Sequence, residues 1–401
     1  MSGLDGPLTG VRIIDITINV LGPMGTQMLG DMGADVIKIE VPTGDPMRTF
    51  GARRNPNMAA HFVNLNRSKR SLTLDLKQPA ALEALMRLID TSDVFVHNMR
   101  ADAAERLGIG PEAVRSRNPQ IIYAYSTGYP PDGPNRNRPA FDDAIQGESG
   151  LAGLIGQANG EPRFVPYAIA DKLCGVYLAT AVSSALFRRE RSGKSQVVHV
   201  PMLETMISFN IVDHMWEATY SGRPEDAGYP RMFTPHRRPY RTTDGYVCLL
   251  AVSDAQWRRL FTALDRSDLI EDPRFIDMDA RTLNIDTVYG IVGEELAKRT
   301  TAEWTKRLDE ADVANAPVNN LSDILANEQL WESGFFRRYE HPSDGQHTTM
   351  AFPIDYSESP AGMKQPPPQL GQHNHEILEE LGFSESEIAA IVGSANSQSP
   401  K

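Results

Sequence analysis

Val11-Arg-Ile-Ile-Asp15, then Gly22-Pro23 followed by Met24, Met28, Leu29 and Met32, then Gly33 and Asp35-Val-Ile-Lys-Ile-Glu40, is the passage that decides the fold. The first β-branched run reads as a strand. Apolar residues at helical spacing after the Gly-Pro turn read as a helix, Gly33 fits its C-terminal cap, and residues 35–40 read as the next strand. Strand, helix and strand within thirty residues make a βαβ unit, whose two strands run parallel. The pattern recurs downstream. Ala80 to Leu88 is amphipathic and precedes Asp93-Val-Phe-Val-His97; Pro111 to Arg117 opens with proline and precedes Ile121-Ile-Tyr-Ala-Tyr125. A long helix with many small residues is expected from about Asp171 to Arg191, closed by Gly193 and followed by the strand Gln196-Val-Val-His-Val200.

Between these elements, residues 128–163 are rich in Gly, Pro and Asn and read as one long loop, which in a compact domain is usually functional or disordered. Met202 to Tyr220 reads as helical. From about Ser221 the composition shifts. Arg231 to Arg241 is basic and contains proline, Gly245 to Leu250 reads as a strand, and helices are expected near 254–264, 287–298 and 301–310. That is a smaller α+β domain, and a Pro-rich return over 353–368 leads to a terminal helix. The 401 residues carry 40 basic and 52 acidic side chains, a net charge of −12, which argues against a nucleic-acid partner. Two cysteines, Cys174 and Cys248, give no disulfide framework. The N-terminus lacks the features of a signal peptide, and no stretch reads as the roughly 20 apolar residues that span a bilayer. The expectation is a soluble cytoplasmic protein without membrane partners.

Three short motifs fail on context. Gly108-Ile-Gly110-Pro-Glu-Ala113 spells a dinucleotide fingerprint but follows a helix end where a strand is required, so it reads as a corner between helices. Gly193-Lys-Ser195 ends a helix where a P-loop begins one. His373-Asn-His375 has no third ligand at a sensible spacing, so it reads as a helix N-terminus and no metal is expected.

An ordered set of segments carries the stronger signal. It runs through Leu8 to Asp15, Gly33 to Glu40, Gly44-Asp-Pro-Met-Arg48, Asn66 to Ser71, Leu74-Asp-Leu-Lys77, and Asn98 with Arg106-Leu-Gly108. It continues with Gly128 to Pro134, Phe141-Asp142, Asp171, Arg191 to Gln196 and Leu370-Gly-Gln-His373. Taken together the chain resembles the class III CoA-transferases, the formyl-CoA and carnitine CoA-transferase group, which also contains the α-methylacyl-CoA racemases. The resemblance implies a large, doubly wound, Rossmann-like α/β domain from residues 1–221 completed by 330–401, a small α+β domain over 222–329, and an interlocked homodimer.

For chemistry, the resemblance implies that coenzyme A moves from an acyl-CoA to a carboxylic acid by way of a carboxylate nucleophile, Asp171. On position alone, an Asp before a long helix reads as its N-cap; the two roles are compatible, and the helix N-terminus is expected to keep the carboxylate ionised at neutral pH. Asp142 either orients the nucleophile or caps the helix that follows it. Gln146 to Gly150 reads as a source of oxyanion-binding amides. By the same resemblance Leu74, Lys77, Asn98 and Arg106 fall on coenzyme-contacting segments, with Arg100 as a further phosphate partner. Two departures count against oxalate as the acceptor: Val20 stands where formyl-CoA transferases carry Gln, and no glycine-rich loop appears near 229–241. A racemase would need a histidine at Phe141, and a phenyl ring moves no proton; His97 and His199 read as satisfied core residues. A catalytically silent CoA-binding protein is the remaining alternative.

Overall fold

A computed structural model describes residues 5–396 of the chain. It divides into two compact units, one comprising residues up to 151, 164–210 and 329 onward, the other 152–163 and 211–328. The sequence reading puts the breaks at 221/222 and 329/330.

The larger unit is built on a six-stranded sheet in the order β3-β2-β1-β4-β5-β6. Its strands are β1 (Arg12–Ile16), β2 (Asp35–Glu40), β3 (Lys69–Thr73), β4 (Val94–His97), β5 (Ile122–Thr127) and β6 (Val197–Pro201). All pairings are parallel. The order reverses between β1 and β4, so the sheet is doubly wound and opens a crevice at the strand C-termini there. Adjacent residues point to opposite faces, and both faces are covered: Ile13 and Ile14 are each fully buried, in different cores. The helices Leu21–Asp31 and Ile169–Ser192 cover the first face. Pro79–Asp90 and Pro111–Arg117 cover the second, joined by Ile377, Leu378, Ile388 and Ile391 from the C-terminal return.

Several sequence expectations are corrected. The helix Ile169–Ser192 has 24 residues and is long and apolar enough to cross a membrane by composition, a property the sequence reading overlooks; here Cys174, Leu178, Val182 and Ala185 place its apolar side in the first core. The long loop at 128–163 contains the helices Asp142–Glu148 and Leu151–Asn159. The helix expected over 202–220 stops at Asn210. Gly108 and Gly193 do take the left-handed turn conformations, φ +73° and +68°, of a helix corner and a helix C-cap.

The first two long elements of the first face meet backbone to backbone. A Cβ on Gly25 would lie 2.8 Å from the carbonyl oxygen of Gly175, and one on Gly175 would lie 2.7 Å from that of Leu21. Only glycine permits that approach. It sets the N-terminal turns of the two helices side by side, both at the edge where the strands end.

Toward β2 and β3 the same face is lined by charge. Lys69 Nζ donates to Asp15 Oδ2 at 2.9 Å, Thr26 Oγ1 at 2.8 Å and Asn66 Oδ1 at 2.9 Å. Lys38 Nζ donates to Asp45 Oδ2 at 2.9 Å and to the Thr17 carbonyl at 2.8 Å. Arg48 grips Glu40 through two bonds of 2.7 Å and lies 3.6 Å over the Phe62 ring. All six ionic side chains are buried. Burial alone would raise the Asp15 carboxyl, but Lys69 and Lys38 beside it and the hydroxyls of Thr17 and Thr26 hold it well below the usual carboxylate range.

The smaller unit is α+β. Its antiparallel sheet is β7 (Tyr240–Arg241), β8 (Tyr246–Leu250) and β9 (Ala314–Pro317). The helices Asp254–Ala263, Ile285–Leu296 and Thr301–Glu310 close over Trp257, Phe261, Val292 and Trp304. Two of them start at full capping boxes, Ser253 with Gln256 and Thr300 with Glu303. The C-terminal return to the larger unit begins with the hairpin β10 (Phe336–His341) and β11 (Gly345–Met350).

Candidate active site

The helix Ile169–Ser192 runs back against the parallel strands it links, so its N-terminus lies at the C-terminal edge of the sheet, where open α/β sheets hold ligands. Asp171 is the third residue of that helix. It is not the N-cap, as its position in sequence suggests: Ala168 holds that place and makes no side-chain cap. The capping carboxylate comes from elsewhere. Asp142, the first residue of its own short helix, accepts the Asp171 backbone N–H at Oδ1, 3.0 Å away. It therefore caps the long helix from outside and leaves its own helix N-cap, Phe141, without a side-chain bond.

Asp142 is itself held. Its Oδ2 accepts the side-chain amide of Gln146, one turn along the same helix, and Gln146 Oε1 accepts the Val165 N–H at 2.9 Å. Gln146 is buried. A continuous chain thus runs from the segment before the long helix, through Gln146 and Asp142, to the backbone of Asp171. Sequence reasoning missed Gln146 as a side chain, although Asp142 and Gln146 stand at the i, i+4 spacing that pairs residues on a helix.

The electrostatics reverse one expectation. Burial, with the Asp142 carboxylate adding to it, pushes the Asp171 carboxyl up to about 7, so it is not held fully ionised at neutral pH. Among the described residues no hydrogen bond reaches the Asp171 carboxyl to offset that burial, and its own N–H goes to Asp142. One turn further on, burial and the nearby Asp171 push the Cys174 thiol up to about 12, so it stays protonated.

Gln146 to Gly150 does not form an amide-lined loop. Gln146 to Glu148 are helical, and the N–H groups of Ser149 and Gly150 return to Ile145 and Gly147. The helix Leu21–Asp31 starts without any side-chain cap, and the glycine contact brings that start beside the long helix. Phe141 is largely exposed. His97 and His199 are engaged, with Tyr123 at 2.7 Å and Thr127 at 2.8 Å; burial lowers them to about 3 and about 4, so both are neutral. His373 accepts the Ser71 N–H at 3.0 Å and stands at the N-cap position of the helix Asn374–Glu380 without a side-chain capping bond, a structural place.

The other sequence candidates lie in the loops after β3 and β4, on the same edge. Leu74 is 1% exposed and its side chain belongs to the second core, which leaves only its backbone to a ligand. Lys77 is exposed in the turn before Pro79–Asp90. Asn98 is committed to the protein: it accepts the Ile18 N–H at 3.0 Å and donates to the Ile18 carbonyl at 2.8 Å, clasping the β1 and β4 loops across the crevice. Arg100 reaches the Asn137 carbonyl at 3.2 Å, and Arg106 ends its helix exposed to solvent. Among the described residues the charged ends of Lys77 and Arg106 have no partner. The loop Asn98 clasps is also held from below, since Asp45 accepts the Asn19 N–H at 3.3 Å and Lys38 holds the Thr17 carbonyl.

Comparison with known proteins gives a consistent result. Residues 8–374 match CoA-transferase family III. The chain is 32% identical to a protein described as a probable fatty acyl-CoA transferase from Mycobacterium tuberculosis, over 93% of this chain and 97% of the other. It is 29% identical to the human succinyl-CoA:glutarate CoA-transferase, over 94% and 86% of the two chains. Among solved structures, a CAIB/BAIF family protein from Brucella suis superposes with a TM-score of 0.79 at 29% identity, over 94% of this chain and 100% of that one.

Proposed function

The chain belongs to CoA-transferase family III, and from that premise we propose that Asp171 is the covalent nucleophile of transfer between an acyl-CoA and a carboxylic acid. Its carboxylate attacks the thioester carbonyl, the C–S bond breaks, and CoA thiolate leaves a mixed aspartyl anhydride. The thiolate returns to the aspartyl carbonyl, releasing the first acid as its carboxylate and leaving an aspartyl-CoA thioester. An incoming carboxylate attacks that thioester and expels thiolate again. Attack of thiolate on the new acyl carbonyl yields the new acyl-CoA and restores Asp171.

The observation that carries this reading is the carboxyl group held by its backbone, through Asp142 and Gln146, at the strand edge while burial lifts it to about 7. A carboxylate poised near neutrality gives up little stability when acylated, because its charge is poorly solvated to begin with. The open first turn of Leu21–Asp31 is the proposed donor to each oxyanion. Lys77, Arg100 and Arg106 are proposed to meet the phosphates of CoA, and the Leu74 and Asn98 segments its remainder. Relatives named for glutarate make short dicarboxylates the first acceptors to try.

Incubation with succinyl-CoA and mass spectrometry of the peptide containing Asp171 is the test. A CoA thioester on that residue, absent from Asp171→Ala, is the expected result; an adduct elsewhere or none at all defeats the assignment. We also propose a homodimer, supported by Tyr177 and Phe187, exposed on the outer side of the long helix. Light scattering would then give twice the 44.3 kDa of the chain.

A further inference from the structure

The smaller unit contains a pocket of about 230 Å³ that the transfer chemistry does not use. Trp257 and Tyr289, buried in the unit's core, line it from within, while Arg237 and Arg238 line it as exposed residues. We infer that this pocket binds a small carboxylate with a flat apolar body, the charge taken by Arg237 and Arg238 and the body by Trp257 and Tyr289. The inference does not rest on the reading of Asp171.

The first argument is the unspent charge. Many arginines of this unit are paired with acids, among them Arg266 with Asp268, Arg274 with Asp272, Arg281 with Asp254, and Arg299 and Arg307 with Asp265, while Arg241 and Arg258, outside the pocket, lack a partner among the described residues. The guanidinium groups of Arg237 and Arg238 have no hydrogen-bond or ion-pair partner among the described residues. Two adjacent planar cations left without an acid match the two-pronged geometry of a carboxylate.

The second is that the segment presenting them is fixed. Thr234 bonds Asp286, the Arg237 and Arg238 N–H groups turn back to the carbonyls of Thr234 at 3.1 Å and His236 at 3.0 Å, and Arg231 Nε donates to Tyr289 Oη at 2.8 Å. The backbone is thus tied to the helix Ile285–Leu296 before any ligand arrives.

The third is an idle donor. Tyr240 lines the pocket, is 9% exposed, and its hydroxyl has no partner among the described residues. That hydroxyl is not among the sealed, unpaired polar atoms, so it is open to solvent and to a ligand in the pocket. A carboxylate oxygen would satisfy it and both cations together. The volume sets the size. It equals about eight waters at ~30 Å³ each, room for a six-membered ring or a short chain but not for a nucleotide.

Cys248 lines the same pocket and is exposed, whereas Cys174 is fully buried, so one thiol reports locally. The experiment follows alkylation of Cys248 by iodoacetamide in the full chain, peptide by peptide, against added sodium benzoate at constant ionic strength. Benzoate should slow the reaction in the millimolar range. In Arg237→Ala/Arg238→Ala the half-protecting concentration should rise at least about tenfold, and in Tyr240→Phe about threefold. Benzamide, which keeps the ring and loses the charge, and acetate, which keeps the charge and loses the ring, should each protect at least about tenfold less well than benzoate. Because both arginines are exposed, the double variant should keep the wild-type melting temperature. Absence of protection in the wild type, or protection that persists in the double variant, overturns the inference.

Discussion

Asp15 and Asp171 are carboxylates of one unit, the first beside and the second within one of the two helices that touch at Gly25 and Gly175, and their surroundings are opposite. Asp15 is sealed under the first helix with Lys69 and Lys38 against it and two hydroxyls on its oxygens. Asp171 is half-buried with another acid, Asp142, as its nearest ionic neighbour, and that acid bonds its backbone rather than its side chain. Burial raises both carboxyls. Cations bring the first far down again, and a like charge lifts the second to about 7. The difference is one of compensation: cations spend the Asp15 carboxylate on structure, and their absence leaves the Asp171 carboxyl free for the chemistry proposed above.

The contrast is broken most severely at the reactive end. Asp171→Ala should lower transfer at least about a thousandfold while the melting temperature stays within a few degrees, because the lost side chain caps nothing and its removal relieves repulsion with Asp142. Paired activity and thermal-unfolding measurements check it; a variant that also loses its fold would merge the two regions. At the structural end, Lys69→Met should cost about 3–5 kcal/mol in urea unfolding, since it leaves Asp15 buried with one of its two cations gone. A loss below about 1 kcal/mol would mean the network is not holding the sheet.

A subtler change sharpens the comparison. Asp142→Asn removes the neighbouring negative charge, which favours ionised Asp171, so its titration should move to lower pH. In the wild type, kcat/KM should rise with pH through about 7 and then level. In the variant that rise should come earlier, and an unmoved acid limb would assign it to another group. Stability has the matching sign. The Asp171 value of the folded chain lies above the ordinary 3.8, so stability is lost as pH rises from about 4 to about 7, and Asp171→Asn should abolish that slope. The smallest effects belong to the solvated rim: Lys77→Ala and Arg106→Ala should each raise KM for acyl-CoA about threefold with kcat unchanged, and less so at high salt.

What the sequence disclosed follows from which forces have a period. β1, the first helix and β2 alternate apolar residues at fold-specific spacing, and all three stand where they were expected. β3 was invisible because its inward residues include Lys69 and Ser71, which are buried by ionic and hydroxyl partners on other elements rather than by apolarity. The hairpin Phe336–Met350 escaped for a related reason: charged and polar residues dominate it and nearly alternate in exposure without an apolar run. The roles proposed for Asp171 and Asp142 come from resemblance. Their relation does not, because the capping bond joins residues 29 apart, and the protonation of Asp171 depends on burial and on the Asp142 charge that the fold brings beside it. The clasp of Asn98 on Ile18 spans 80 residues and has no local signal.

The glycine contact between the two helices has a dynamic consequence. Two rods that touch at the main chain share one activation event, since neither can loosen its first turns without stripping the other of packing. Amide deuterium uptake around Leu21–Met28 and around Cys174–Ala181 should therefore proceed at a common opening rate. Enlarging either glycine to alanine should accelerate both segments together, and the disturbance would reach the Asp171 carboxyl by wedge rather than by direct touch.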